Sequence, residues 1–202
     1  GAYINTTSTV SGMLSGLPVS GNAASDGILL SSVSFSKSFA GPVITGQTTT
    51  LTYTINNGDA INGISSLRFT DDLASVLPGL TAVGLSGSDI CGIGSTISGT
   101  GLIIFDQGSL PASGNCSFDV TVMVPAGLTA MTLNSASSDL LSNGAVVSTP
   151  AVADLMVLGQ ADITVMPASV DFGKTRIGVS SGNMPVTIQN TGTAALNITA
   201  VD

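Results

Sequence analysis

Two ionisable residues stand at inward-facing positions of alternating sequence runs. In VSFSKSF, which begins at Val33, Lys37 shares a face with the valine and the two phenylalanines, and the serines take the other face. In LRFTD, Asp71 shares a face with the leucine and the phenylalanine. An isolated buried charge costs several kcal/mol or forces the group to become neutral. We therefore expect Lys37 and Asp71 to pair inside the core.

Asn134 adds a third group to this pair. In Gram-positive adhesins of the collagen-binding type, an inward lysine on the first strand and an asparagine on a late strand join as an intramolecular isopeptide, with an inward acid between them. The order Lys37, Asp71, Asn134 resembles that arrangement. The resemblance implies that a neutral Lys37 amine attacks the Asn134 carboxamide, while protonated Asp71 polarises the carboxamide and ammonia leaves.

The strand phase around Asn134 bears on this reaction. Met131, Leu133 and Ser135 share the more apolar face of their run, so Asn134 reaches the core only if a bulge shifts the alternation. Two interpretations stay open: the isopeptide, and a buried lysine–aspartate ion pair without a bond to Asn134.

Cys91 and Cys116 are the two cysteines of the chain. A two-thiolate metal site would lack any histidine or further cysteine to complete a tetrahedral shell, so we expect no metal site and no cofactor. A disulfide agrees with the secretory composition. It would clamp the glycine-rich range 92–101 and contribute about 3 to 4 kcal/mol by closing the loop.

The composition excludes several classes of function. The chain has no His and no Trp, and its net charge is −8 from four basic and twelve acidic residues. Without histidine the commonest general base and metal ligand is absent, and we expect no enzyme. Four cations cannot neutralise a row of phosphates, which excludes nucleic-acid binding. No run approaches the ~18 unbroken apolar residues of a membrane helix, so we expect no membrane insertion.

Short alternating runs separated by Gly, Pro and Asn turns predict an all-β chain. Short strands separated by such turns are typical of a β-sandwich. A complete unit is predicted for residues 31–158, with the run from Cys116 as a central strand. Its predicted strands are 33–39, 48–55, 67–71, 80–85, 102–105, 116–124, 131–137 and 145–148.

Two partial units flank this complete unit. Residues 1–30 resemble residues 132–158 when Asn5 is aligned with Asn134 and Asp26 with Asp154, which indicates an approximate internal repeat. We therefore interpret residues 1–30 as the closing strands of a preceding unit. Residues 161–202 are too few for a sandwich, and we interpret them as the first three or four strands of a following unit.

Two families are suggested by these motifs. FSKSFAGPVITGQTTTLTYTINN, LRFTDDL with LPGL, LPASGNCSFDVTV and TLNSAS resemble, in this order, the immunoglobulin-like repeats of unknown function in bacterial surface and secreted proteins. The run from Pro167 through DFG to VTIQNTGTAALNIT resembles the Hydin-type, choice-of-anchor-D immunoglobulin-like domain. The resemblances imply tandem immunoglobulin-like antiparallel β-sandwiches, one complete and two partial, in an extracellular or cell-surface protein.

The sequence predicts a structural stalk or spacer whose partners are neighbouring immunoglobulin-like domains. If the 202 residues are a whole subunit, identical subunits are the partners instead, and strand complementation builds a head-to-tail filament. A third possibility is an adhesin module for a glycan or a host protein, which would need an exposed aromatic or apolar patch. The sequence identifies no ligand.

Overall fold

A computed structural model describes residues 2–29 and 32–200, and leaves out the side chains of residues 2–5 and 26–29. The predicted boundary at residues 30 and 31 lies outside the described residues. Within the described ranges the chain is all-β, with one short helix, α1 (Leu73–Val76). No helix in these ranges has the length and apolar character needed to cross a membrane.

The strands are β1 (Ala2–Thr6), β2 (Ser11–Leu14), β3 (Leu17–Ser20), β4 (Ser25–Leu29), β5 (Val33–Phe39), β6 (Val43–Ile44), β7 (Thr48–Asn57), β8 (Ile64–Asp72), β9 (Thr81–Ala82), β10 (Ser86–Ser88), β11 (Thr96–Gly99), β12 (Leu102–Leu110), β13 (Asn115–Met123), β14 (Met131–Ala136), β15 (Leu140–Ser142), β16 (Ala145–Ser148), β17 (Val152–Leu158), β18 (Ile163–Met166) and β19 (Thr187–Asn190).

The strands of the range 33–158 form three sheets. A six-stranded sheet has the order β10-β11-β12-β8-β15-β16, a four-stranded sheet the order β5-β7-β13-β9, and a three-stranded sheet the order β14-β17-β6. The short β6 pairs in parallel with β17, and the other pairs described in these sheets are antiparallel.

One hydrophobic core receives side chains from all three sheets. In β5 every second side chain from Val33 to Lys37 is buried, as the alternation predicts. Leu51, Phe105 and Leu155 are fully buried and come from different sheets. Burying one such side chain contributes about 1.5 to 3 kcal/mol, so the core is the main source of stability. The same alternation along the strands determines which polar side chains are buried.

The predicted strand 80–85 is interrupted in the structure. Thr81–Ala82 joins the four-stranded sheet and Ser86–Ser88 joins the six-stranded sheet. Gly84 lies between them with a φ of +62°, a left-handed conformation that glycine adopts without steric cost. The backbone therefore leaves one sheet and enters the other at this glycine.

The two flanking segments form small sheets of their own. β1 pairs with β4, and the register sets Asn5 opposite Asp26. β14 and β17 pair in the same way, with Asn134 opposite Asp154. The hairpin β2–β3 lies between β1 and β4 in the chain.

The C-terminal segment differs from its prediction. Where the sequence predicts three or four strands, the described residues contain the single pair β18–β19. The apolar runs around Phe172 and Val179 form no strand there. Gly173 and Gly178 adopt positive φ values of +64° and +84°, which turn the backbone away from an extended path.

Candidate functional site

Lys37 lies in β5 with its side chain fully buried. The register of β5 on β7 sets Lys37 directly opposite Tyr53. Lys37 Nζ donates hydrogen bonds to Asp71 Oδ2 at 2.7 Å and to Ser135 Oγ at 2.6 Å. The inward position predicted for Lys37 therefore brings it to two polar partners in the core.

Asp71 lies near the end of β8, and its side chain is fully buried. Its Oδ2 accepts from Lys37 Nζ and from the Tyr53 hydroxyl, the latter also at 2.7 Å. Its Oδ1 is buried without a hydrogen-bond partner among the described residues. One carboxylate oxygen thus accepts hydrogen bonds from both Lys37 and Tyr53.

Lys37, Tyr53, Asp71 and Ser135, called here the polar core cluster, connect all three sheets of the range 33–158. Lys37 and Tyr53 belong to the four-stranded sheet, Asp71 to the six-stranded sheet and Ser135 to the three-stranded sheet. The hydrogen bonds within the polar core cluster therefore run between sheets, where the backbone ladders do not reach.

Aromatic rings surround the polar core cluster. The centroid of Phe69 lies 4.6 Å from that of Phe35 and 5.0 Å from that of Tyr53, and Phe118 lies 5.4 Å from Tyr53. These rings exclude water, and a dry environment strengthens every electrostatic interaction inside it. The same environment penalises any charge that loses its partner.

This environment shifts the pKa values of two members. Burial lowers the pKa of the Lys37 ammonium, and the hydrogen bond and charge of Asp71 oppose that shift. Burial raises the pKa of the Tyr53 hydroxyl strongly, and the Asp71 charge and hydrogen bond add to the shift. Tyr53 therefore stays a neutral donor throughout the physiological pH range.

A serine next to a lysine of lowered pKa is also an arrangement that can activate a nucleophile. Here Ser135 is fully buried, as is the Lys37 side chain, so no substrate can approach the hydroxyl. Asp71 lies at ion-pair distance from Lys37 and favours its charged form, which is not a base. The polar core cluster therefore presents no solvent-accessible nucleophile.

Asn134 does not reach Lys37. The register of β14 on β17 is continuous, without a bulge, so Ser135 faces the core and Asn134 faces outward. Asn134 Nδ2 donates to Asp154 Oδ1 at 2.9 Å on the exposed face. Isopeptide formation needs a carboxamide beside the amine, and the expectation that Asn134 supplies it disagrees with the structure. Lys37 and Asp71 form a buried ion pair instead.

Cys91 and Cys116 form a disulfide with a Cα–Cα distance of 5.7 Å. The bond attaches the loop 89–95 to β13. Within this loop the Cys91 amide donates to Ser95 Oγ at 3.0 Å, and the Gly94 amide donates to Asp89 Oδ1 at 2.6 Å. The disulfide and these hydrogen bonds therefore hold the loop in place.

Sequence reasoning missed Tyr53 and Ser135 as partners of the ion pair. Tyr53 lies in the predicted strand 48–55, where it alternates with threonines and shares a face with Leu51 and Ile55. A buried tyrosine hydroxyl usually requires a hydrogen-bond partner, so this position is a usable signal. Ser135 was placed on the more apolar face of its run. Because that face is turned toward the core, the Ser135 hydroxyl also requires a hydrogen-bond partner.

The fold and the polar core cluster define an all-β protein with a disulfide and a buried ion pair that joins its sheets. The model of a family described as a domain of unknown function, DUF7933, matches residues 34–157. The chain therefore belongs to the DUF7933 family, which agrees with the predicted resemblance to a domain of unknown function. A comparison with curated proteins finds no match. The resemblance of residues 161–202 to Hydin-type domains stays a prediction.

Proposed function

We propose that this chain is a stalk or spacer segment of a secreted or cell-surface multidomain protein, built from tandem immunoglobulin-like sandwiches. The observation that carries the proposal is the polar core cluster. It is sealed from solvent and connects three sheets, so its contribution is to the architecture. A buried ion pair adds little net stability over apolar residues of the same size, but its hydrogen bonds are short and directional.

The positions of these residues along the chain indicate how the cluster would respond to a pulling force. The chain enters the range 33–158 through β5 and leaves it through β17. Lys37 lies on β5, and its partner Ser135 lies on β14, which is hydrogen-bonded to β17. A pulling force along the chain would act first on β5 and β17. The Lys37–Ser135 bond links the sheets that hold these two strands.

Two further observations support the extracellular and tandem parts of the proposal. Disulfides persist in oxidising compartments, and Cys91 and Cys116 are joined by a disulfide. The shared register of Asn5 with Asp26 and of Asn134 with Asp154 agrees with a repeated pair of closing strands. Repetition of one structural unit is what a spacer requires.

Single-molecule force spectroscopy tests this function. The 202-residue chain is pulled from its two ends as wild type and as the triple variant Lys37→Met, Tyr53→Phe, Asp71→Leu, which removes the hydrogen bonds of the cluster and leaves the Ser135 hydroxyl as its one polar side-chain group. We expect the variant to keep its stability towards urea and to unfold at lower force. Thr52→Val is the matched control, since it removes an exposed hydrogen bond to Asp119. Equal unfolding forces for the triple variant and wild type would contradict the proposal.

A head-to-tail filament is the second candidate. The hairpin β2–β3 leaves Met13, Leu14 and Leu17 about 70% exposed, and β18 leaves Ile163 half exposed. Such apolar strands are covered by a neighbouring unit in either candidate. Light scattering over a range of concentrations separates the two. Polymers that disappear when residues 1–30 are deleted would favour the filament, and a monomer at high concentration would favour the spacer.

A further inference from the structure

A groove crosses the outer face of the six-stranded sheet, over β8, β12 and β15. Its volume is about 300 Å³, and its lining includes Arg68, Thr70, Ile104, Asp106, Ser138 and Leu141. This volume is at the lower end of the range for pockets that bind small ligands. The groove is separated from the polar core cluster by the buried side of the same sheet.

A β-bulge shapes one wall of this groove. Phe105 pairs with Phe69 and Gly108 pairs with Leu67, so two residues of β12 lie opposite Arg68 of β8. The second of these two, residue 107, has a φ of +59°, an uncommon value for a residue other than glycine. Bulges redirect side chains and are frequent beside binding sites.

Arg68 and Asp106 line the groove without pairing with each other. Among the described residues the single ion pair is Lys37 with Asp71, and the Arg68 guanidinium makes no hydrogen bond, although the Arg68 backbone pairs with β15. Asp106 Oδ1 accepts from the amide of Gln107 at 3.0 Å, and its other oxygen has no partner in the same ranges. The groove therefore presents a strong donor and a strong acceptor at separate points.

We propose that this groove binds a neutral, hydroxyl-rich saccharide unit. A sugar hydroxyl both donates and accepts, so neighbouring hydroxyls can accept from the Arg68 guanidinium and donate to the Asp106 carboxylate. Ile104, which is 44% exposed, and Leu141 supply an apolar wall for the C–H surface of the ring.

Charge decides between a neutral and an acidic ligand. Arg68 and Asp106 carry opposite charges, so the groove lining has no net charge, and the net charge of −8 on the whole chain repels an anion at a distance. Glycoside hydrolysis uses two carboxyl groups at the scissile bond, and the described lining contains one. The groove is therefore a binding site without hydrolysis, and this inference does not depend on the spacer function.

Amide chemical shifts of the 202-residue chain test the proposal. The probes are maltohexaose, cellohexaose, laminarihexaose and mannohexaose, each at millimolar concentration, with a hexauronic acid as the anionic comparison. We expect at least one neutral probe to shift amides around Thr70 and Ile104, and the hexauronic acid to bind more weakly. Arg68→Ala should raise the dissociation constant about tenfold or more, because it removes a charge-assisted hydrogen bond.

Arg176→Ala is the matched control, because this arginine is exposed and lies outside the groove. It should leave the affinity unchanged, and thermal unfolding should show that both arginine variants are folded. The proposal is overturned if no neutral probe shifts the groove amides, if the shifts map elsewhere, or if the two arginine variants bind equally well.

Discussion

Replacing Lys37 by methionine removes the cation of the polar core cluster and keeps a side chain of similar length. Asp71 then retains the Tyr53 hydroxyl as its single donor, since its Oδ1 already lacks a partner among the described residues. Ser135 loses the group that lies 2.6 Å from its hydroxyl. Removing one member of a buried ion pair costs about 3 to 5 kcal/mol, because a buried charge is left uncompensated.

Urea unfolding at neutral pH with the disulfide intact measures this loss. With a slope of about 2 kcal/mol per molar, a loss of about 4 kcal/mol lowers the midpoint by about 2 M. Lys174→Met is the matched control because Lys174 is exposed, and it should change stability by less than about 0.5 kcal/mol. Circular dichroism is a suitable signal, since the chain has no tryptophan.

A second variant separates the charge from the packing. Lys37→Met combined with Asp71→Leu leaves no charge in the core, so it should recover most of the stability that Lys37→Met loses. If Lys37→Met costs less than about 1 kcal/mol, the ion pair is not the interaction we describe. If the double variant is as unstable as the single one, the loss arises from packing, and the electrostatic reasoning fails.

Three further predictions concern other groups. Tyr53→Phe should remove the decline in stability that wild type shows above about pH 10, because an unfolded tyrosine ionises near 10.0 whereas burial and Asp71 keep the folded one neutral. The difference should approach about 1.4 kcal/mol per pH unit in urea unfolding, and parallel declines would contradict it. Replacing Cys91 and Cys116 by serine should cost about 3 kcal/mol, measured as a lower melting temperature, and an unchanged melting temperature would count against the clamp. The intact mass of wild type should be two hydrogens below the mass calculated from its sequence, and Asn134→Ala should be two hydrogens below the mass calculated for that variant. A further deficit of one ammonia in wild type alone would support the isopeptide.

The repeat position of Asn134 was identified correctly from the sequence, but its interpretation as a partner of Lys37 was wrong. Asn134 aligns with Asn5 in the sequence repeat. In both strand pairs, β1–β4 and β14–β17, the asparagine lies opposite an aspartate of the partner strand. For Asn134 the result is an exposed hydrogen bond to Asp154. At positions 134 and 154 the pattern of the repeat is therefore an exposed cross-strand pair, and Asn134 is not a partner of Lys37.

Strand alternation allowed much of this structure to be predicted. Successive side chains of an extended backbone point to opposite faces, so the inward position of Lys37, Asp71 and Ser135 follows from local sequence alone. The strand 33–39 was predicted with the bounds that the structure has. The prediction missed β6, β10, β11 and β15, because two to four residues are too few to show a period. It also missed the longer β17.

The sequence by itself determined which side chains of these strands face inward, since that depends on residue type and local period. Only the tertiary structure decided which inward groups meet. Lys37 is 34 positions from Asp71 and 98 from Ser135, and Tyr53 is 18 positions from Asp71. Contacts at 2.6 to 2.7 Å over such separations depend on the order and packing of three sheets, which no local pattern encodes.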